Sequence, residues 1–191
     1  MAGNRDRETS STYHIGQQEA RTINNADTVN QIGAIHLGPR EPTPYERAQD
    51  GLRLGETSLH QGLYDSAVTH LTECVGLGAL DPSAAAHARF LLALAGLGGK
   101  RPSLCTNAEL ASALALLGPL REPHARFLAV LVEEDRTNAW MGSLAVPDSL
   151  RWKAQQVDRL YADLIRRHVP ASESRVWQAL NERAGGTTPC P

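Results

Sequence analysis

The side chains that could do chemistry are spread along the chain without the spacing that catalysis or metal binding needs. Seven histidines and three cysteines are present, and none of them forms an HExxH or CxxC motif. The nearest approach to a ligand pattern is His60 and His70, ten residues apart. A structural or exposed role is favoured for both. The cysteines are Cys74, Cys105 and Cys190, an odd and widely spaced set that predicts free thiols rather than a disulfide framework.

Motifs for nucleophilic catalysis and phosphate binding are also missing. The sequence contains no GxSxG elbow, no phosphate-binding glycine loop and no DxD pair of carboxylates. A nucleophilic Cys74 or Cys105 would need a base that the sequence does not identify. An acidic cluster at residues 133–135 lies near the end of a predicted helix, where a solvated role is expected. The sequence therefore predicts a protein that is not an enzyme and that uses no cofactor or metal.

The balance of charge restricts the class of partner. With 19 basic and 21 acidic residues the formal charge is -2, so no global basic surface marks a nucleic-acid binder. Between residues 149 and 183, seven basic residues stand against four acidic ones, a mild excess typical of a solvated helix face. The N-terminal residues include no apolar signal region, and no apolar run approaches the ~20 residues of a membrane span. We expect a soluble, cytoplasmic protein.

The composition predicts an all-α body that must position any site. Hydrophobic residues make up 41% of the chain but aromatic residues only 5%, so the core is built mainly from Leu and Ala, which favour helices. About seven helices are expected over residues 45–184, beginning after an N-cap at Thr43. The later ones are predicted at 83–97 with Asp81 as cap, 107–117 with Thr106 or Asn107 as cap, 123–135, 147–168, and 173–183 with Ser172 as cap.

Small and apolar residues recur at helix-crossing positions within residues 47–82. They are Leu54, Gly55, Gly62, Tyr64, Ala67, Leu71, Cys74 and Pro82. This pattern resembles one tetratricopeptide repeat (TPR), a pair of antiparallel helices. The resemblance implies a close contact at Gly55 and Ala67, a turn at residues 62–65 braced by Tyr64, and a body that binds a protein partner. Two departures are Gly51, in place of the usual aromatic residue, and a late closing Asp-Pro pair. Whether the helices form a superhelix or a compact bundle is left open.

Residues 12–38 differ from this body in being prone to form β-structure. Residues 28–38 carry no formally charged side chain and have no proline, which is typical of segments that enter cross-β stacks. An earlier stretch echoes them loosely, and a turn is expected between the two. The residues expected to pair are Ile15, Gly16, Gln17, Ile23, Asn24, Asn25, Val29, Asn30, Gln31, Ile32, Gly33, Ile35 and Leu37. A hairpin packed on the body and a disordered tail are the alternatives.

A proline-rich linker separates the two regions. Three prolines within residues 39–44 exclude both helix and ladder and favour an extended conformation. This change of composition is the clearest domain boundary in the sequence. The termini, residues 1–11 and 185–191, are polar and are predicted to be disordered.

The octapeptide at residues 30–37 resembles the core of the RIP homotypic interaction motif and the related bacterial amyloid signalling motifs. By this resemblance Gln31, Ile32 and Gly33 form the nucleating tripeptide, with Ile35 and Leu37 in the zipper. Asn30 departs from the animal motif, which has an aliphatic residue there. The resemblance implies self-assembly and a partner such as an NLR-like receptor or effector that carries a matching motif.

Three hypotheses follow from the sequence. The first is a non-enzymatic adaptor whose N-terminal segment assembles homotypically. The second is a plain TPR-like scaffold whose N-terminal hairpin packs on its own body. The third is a small regulatory enzyme or a nucleic-acid-associated protein with an unrecognised site. Partners are expected to be proteins, and nucleic acid is disfavoured.

Overall fold

The computed structural model describes residues 40–137, 146–172 and 174–184. The predicted homotypic segment at 12–38 and both predicted disordered termini lie outside the described residues. The chain divides into two units, Met1–Pro42 and Thr43–Pro191. Every described helix belongs to the second unit.

The described residues form an all-α body, as predicted, and they include no β-strand. Eight α-helices follow one another, with a short 3-10 turn at Pro102–Leu104. They are α1 (Pro44–His60), α2 (Tyr64–Leu77), α3 (Pro82–Gly96), α4 (Asn107–Leu117), α5 (Pro123–Thr137), α6 (Asp148–Gln156), α7 (Arg159–His168) and α8 (Arg175–Ala184).

Packing is mostly sequential, because each of the first five helices contacts the next along the chain. Helix α6 packs chiefly on α8, while α7 reaches back to α3 and α5. Helix α3 is the centre of the core. Its Phe90, Leu91, Ala93 and Leu94 are all at most 1% exposed, as expected of a helix that is apolar almost all round.

The helix starts were predicted correctly where a local cap signals them. The Thr43 hydroxyl accepts a hydrogen bond from the backbone N–H of Glu46, whose carboxylate accepts one from the Thr43 N–H. The same reciprocal capping box joins Thr106 and Glu109 at the start of α4. The Asp81 carboxylate caps α3 by accepting from two backbone N–H groups. Each cap lies within four residues of the groups that it satisfies, which makes it visible in the sequence.

The prediction of one long helix over residues 147–168 is wrong. The chain leaves helical geometry at Val157, whose φ and ψ are -71° and 127°, and this side chain is fully buried. The Asp158 carboxylate then caps α7 by accepting from the Leu160 N–H at 2.8 Å. The body therefore has eight described helices where about seven were expected.

The predicted cap of the last helix is displaced by two residues. The Ser174 hydroxyl accepts from the Trp177 N–H at 3.2 Å, so Ser174 is the residue that caps α8. The Ser172 hydroxyl instead donates to Ser174 at 2.9 Å. Both serines satisfy the preference for a small hydroxyl residue, and the sequence alone does not distinguish them.

The expectation of a solvated acidic cluster at residues 133–135 is wrong for two of its three members. Asp135 is 2% exposed and accepts a hydrogen bond from the Ser103 N–H at 3.1 Å, which joins α5 to the 3-10 turn. The Glu134 carboxylate lies 2.9 Å from the guanidinium of Arg175 on α8. Only Glu133 is exposed. Among the described helices, none is both long and apolar enough to cross a membrane.

Candidate functional site

The residues of the TPR-like pattern lie mainly in the α1–α2 hairpin. Gly55 is buried there, and a Cβ at this position would lie 2.5 Å from Cγ of Leu71. Leu71, Ala67 and Cys74 of α2 are at most 1% exposed. The three heavy atoms nearest to a Cβ at Gly55 all belong to Leu71. Close approach of the two helices therefore depends on the absence of a side chain at Gly55.

The other residues of the pattern occupy the ends of helices or the surface. Leu54 is 40% exposed, so it does not contribute to the core as the pattern implied. Gly62 has a φ of +73° in the turn between α1 and α2. That turn ends earlier than expected, because α2 already begins at Tyr64. Pro82 is the exposed first residue of α3. Gly51 approaches Cβ of Cys74, since a Cβ there would lie 3.1 Å from it.

A carboxylate, an imidazole and a phenol, all of them partly exposed, form a chain of hydrogen bonds between three helices. The Glu56 carboxylate lies 2.7 Å from Nε2 of His87, and the Tyr161 hydroxyl lies 3.0 Å from Nδ1 of the same ring. A neutral His87 that donates from Nε2 accepts at Nδ1 from the hydroxyl, so one tautomer satisfies both bonds. The three residues belong to α1, α3 and α7, and the chain of bonds ties these helices together.

The imidazole of His124 extends this cluster to α5. Its ring stacks on Tyr161 with centroids 3.6 Å apart, and Phe90 packs edge-on against both rings. Burial lowers the pKa of His124 to about 4, although the nearby Glu122 carboxylate opposes that shift. Burial also raises the pKa of Tyr161. The phenol therefore stays protonated near neutral pH, which disfavours a phenolate nucleophile at this position.

The histidines are scattered in the sequence, and the structure brings two of them to one tyrosine. His87 and His124 are separated by 37 positions and meet only because α3, α5 and α7 converge. One signal was available, since His87 lies within the strongly apolar helix α3 and a half-buried polar residue needs a partner. That signal predicts a partner without identifying it.

A second histidine cluster joins α7 to the α1–α2 hairpin. His168 is 1% exposed, with its Nδ1 3.5 Å from the Tyr64 hydroxyl and its ring centroid 6.3 Å from that of His60. Burial lowers the pKa of His168, and the charges of His60 and Arg167 lower it further. His60 is paired with Arg167 at 3.1 Å. Across the described ranges, no three His, Cys, Asp or Glu side chains are grouped so as to hold a metal ion.

The basic side chains of the last helices mostly connect elements. Arg151 binds Glu182 of α8 at 2.8 Å, and Arg175 binds Glu134 of α5 at 2.9 Å. Arg166 donates to the backbone carbonyl of Leu180. These basic residues were expected to form a solvated helix face. That expectation is incomplete, because three of the side chains also bind groups on neighbouring helices.

The two described cysteines carry little nucleophilic character. Burial raises the pKa of both Cys74 and Cys105. The Cys105 thiol lies within bonding distance of the backbone carbonyls of Leu97 and Arg101. A thiol held in this way is disfavoured as a thiolate, so it is poorly suited to attack a substrate.

An open groove lies between the α4–α5 connection and α6. It encloses about 850 Å³. Its floor is apolar, and the exposed indole of Trp152 on α6 stands at its side. We call this feature the α5–α6 groove. Its lining residues are Leu117, Gly118, Pro119, Leu120, Arg121, Pro123, Arg126, Phe127, Ala129, Val130, Trp152, Lys153 and Gln156.

The charge of the α5–α6 groove has one sign. Arg121, Arg126 and Lys153 line it, and no Asp or Glu does so in the described part of the chain. All three cations are exposed. The carboxylate of Glu122, adjacent in sequence to Arg121, acts on His124 and Tyr161 instead. The groove thus combines an apolar floor with a cationic rim.

Comparison with known proteins identifies no relative. No family model, no curated protein and no solved structure matches this chain.

Proposed function

We propose that this protein is a non-enzymatic adaptor. In this proposal a TPR-like helical body binds a protein partner, and residues 12–38 assemble with copies of themselves or with a matching motif on an NLR-like receptor or effector. The observation that carries the proposal is the contrast between two kinds of site in the body. His124 and His168, at the centres of the two histidine clusters, are 8% and 1% exposed, whereas the α5–α6 groove is open and has an apolar floor.

The hairpin of α1 and α2 supports a TPR-like interpretation of the body. Two helices joined by a turn of three residues pack along their lengths, with Gly55 against Leu71. Helices that then stack in sequence are typical of repeat proteins, which bind other proteins on their open surfaces.

The assembly role rests on the sequence of the N-terminal region. Residues 28–38 are uncharged, β-prone and contain Gln31-Ile32-Gly33. In a stack of identical strands, each arriving copy forms main-chain hydrogen bonds with the previous one and aligns its Gln and Asn side chains in ladders. The proline-rich linker at 39–44 allows the tethered bodies to gather around such a stack. The output would be a high local concentration of bodies and their bound partners.

The test compares the full chain with a variant carrying Gln31→Ala, Ile32→Ala and Gly33→Ala. The unchanged chain should form thioflavin-positive fibrils with the ~4.7 Å repeat of a cross-β stack, and the triple variant should stay monomeric. A matched control replaces Thr9, Ser10 and Ser11 with Ala, outside the motif, and should assemble like the unchanged chain.

Two outcomes would overturn the assembly role. One is an unchanged chain that stays monomeric at high concentration. The other is strong hydrogen-exchange protection of residues 29–37 in the monomer, which would indicate a plain scaffold with a packed N-terminal hairpin.

A further inference from the structure

The α5–α6 groove has features that define the chemistry of its occupant. We infer that it binds a peptide segment of a protein partner that carries both large apolar and acidic side chains. This inference deepens the proposed function and rests on the body being a protein-binding domain.

The floor of the groove follows one face of α5. Pro123, Phe127 and Val130 lie at positions i, i+4 and i+7, which share a face of a helix, and the exposed Arg126 of the rim borders them at i+3. Phe127 is 1% exposed, and Val130 is partly buried. A space of about 850 Å³ is large enough to receive several side chains. Such a surface suits an amphipathic segment that inserts a row of apolar residues.

Trp152 provides an anchor at the side of the groove. Its side chain is 62% exposed, although indoles bury a large apolar area when a partner covers them. Tryptophan is enriched among the residues that dominate binding energy at interfaces. Because the ring stands beside an apolar floor, one bound segment can cover the indole and the floor together.

The cationic rim selects for carboxylates. Arg121 precedes α5, Arg126 lies on α5 and Lys153 lies on α6, so the positive charges come from separate elements around the opening. Within the described residues, none of the three forms an ion pair or side-chain hydrogen bond. Charge complementarity of this kind raises the association rate and excludes basic competitors.

Two other occupants fit these features less well. The β-prone core of the N-terminal segment, residues 28–38, carries no carboxylate to complement the rim. Single-stranded nucleic acid is usually bound by a track of cations and several stacking aromatic rings. The groove offers three cations and one exposed indole.

The experiment measures the binding of synthetic peptides by fluorescence anisotropy. The protein is the full chain with Gln31, Ile32 and Gly33 replaced by Ala, so that assembly does not interfere. The probe is a labelled peptide of about 15 residues with Leu at i, i+3, i+4 and i+7 and Glu at the flanking positions. One comparison peptide replaces Glu with Lys, and an oligo-dT strand tests the nucleic-acid alternative. We expect the Glu peptide to bind saturably, and we expect no binding of the Lys peptide or of oligo-dT.

Variants of the groove then identify the surface that binds. Trp152→Ala should weaken binding of the Glu peptide by about tenfold or more. Arg126→Glu with Lys153→Glu should do the same and should reduce the salt dependence. The matched controls are Leu160→Ala and Arg159→Glu on α7, exposed residues outside the groove, and they should bind like the parent. Circular dichroism of each variant checks that the helices are retained.

The inference is overturned if no peptide binds, if the Lys peptide or oligo-dT binds as tightly as the Glu peptide, or if the groove variants bind like the controls. These results leave the assembly role untouched, because fibril formation is measured on the unchanged chain. Conversely, an unchanged chain that fails to assemble, together with intact peptide binding by the triple variant, would overturn the assembly role and retain the groove as a docking site.

Discussion

The imidazole of His124 lies parallel to the phenol ring of Tyr161, with the ring centroids 3.6 Å apart and the planes inclined by 1°. This stack joins α5 to α7, and the Tyr161 hydroxyl continues the connection through His87 to Glu56 on α1. Helices distant in sequence are thereby fixed to the first hairpin. The same cluster makes the stability of the body depend on pH.

The first prediction concerns that pH dependence. The pKa of His124 is about 4 in the folded state and 6.5 in its ordinary state. The unfolded chain therefore binds more protons between these values, and the folded state loses stability as pH falls from about 6.5 to about 4. The shift corresponds to a loss of about 3 kcal/mol from His124. His168, whose pKa is also lowered, adds a loss of the same sign.

Replacing His124 by Phe keeps an aromatic ring on Tyr161 and removes the titrating group. Urea unfolding at steps between pH 7 and pH 4 should give a shallower decline in the free energy of unfolding for His124→Phe than for the unchanged chain. In His124→Phe, the pH dependence that remains comes from His168 and from acidic groups such as Glu109, whose pKa is lowered to about 2. Equal slopes in the two proteins would contradict the role given to His124.

The second prediction concerns the α1–α2 crossing. A Cβ at Gly55 would lie 2.5 Å from Cγ of Leu71, which is fully buried and has little room to move. Gly55→Ala should therefore destabilise the body by about 1–3 kcal/mol, despite the better helix propensity of Ala. The matched control is Gly76→Ala on α2, where nothing lies within 4 Å of the added Cβ. It should stabilise the body by about 0.5–1 kcal/mol, as measured by urea unfolding. If Gly55→Ala left the free energy of unfolding unchanged, the two helices could move apart without loss of stability, which would contradict this prediction.

The third prediction separates backbone strain from side-chain contact in the loop after α3. Gly98 and Gly99 both have positive φ, at 61° and 67°. A Cβ at Gly98 meets only the end of Lys100 at 3.7 Å, whereas one at Gly99 lies 2.6 Å from the Tyr64 hydroxyl and ring. Both Ala variants pay about 1–2 kcal/mol for the left-handed conformation. Gly99→Ala should cost more, and it should also shift the NMR resonances of His168, the neighbour of Tyr64. Equal costs for both variants would rule out the Tyr64 contact.

The parts of the fold that were predictable are those with a local cause. Thr43 and Thr106 each satisfy a backbone N–H three residues away, so the sequence shows donor and acceptor together. The break at Val157 was missed because the apolar spacing of a helix continues across it in the sequence. Burial of Val157 and capping by Asp158 decide that position, and the first of these depends on tertiary packing.

The candidate sites were less predictable because their members are far apart in sequence. Glu56, His87 and Tyr161 form one chain of bonds only after three helices have packed. At Trp152 the residue type gives the wrong expectation. A large aromatic residue is expected to be buried, and this one is exposed. The resemblance to a tetratricopeptide repeat places Gly55 and Ala67 at the close contact, and both are buried, but it does not indicate which residue of α2 lies nearest Gly55, which is Leu71. The choice of partner depends on the register of the two helices.

The fourth prediction concerns the acidic cluster that the sequence suggested was solvated. Asp135 is 2% exposed, and its carboxylate accepts from the Ser103 N–H at 3.1 Å. Asp135→Ala leaves that partly buried N–H without this acceptor and frees the 3-10 turn from α5, so we expect a loss of about 1–3 kcal/mol in the free energy of unfolding. Glu73→Ala on the exposed face of α2 is the control and should change stability by less than about 0.5 kcal/mol.

Hydrogen exchange at Ser103 provides a local readout, because the N–H that loses its acceptor should exchange faster in Asp135→Ala alone. Unchanged exchange at Ser103 would mean that the carboxylate does not hold the turn, whatever the global stability of the variant.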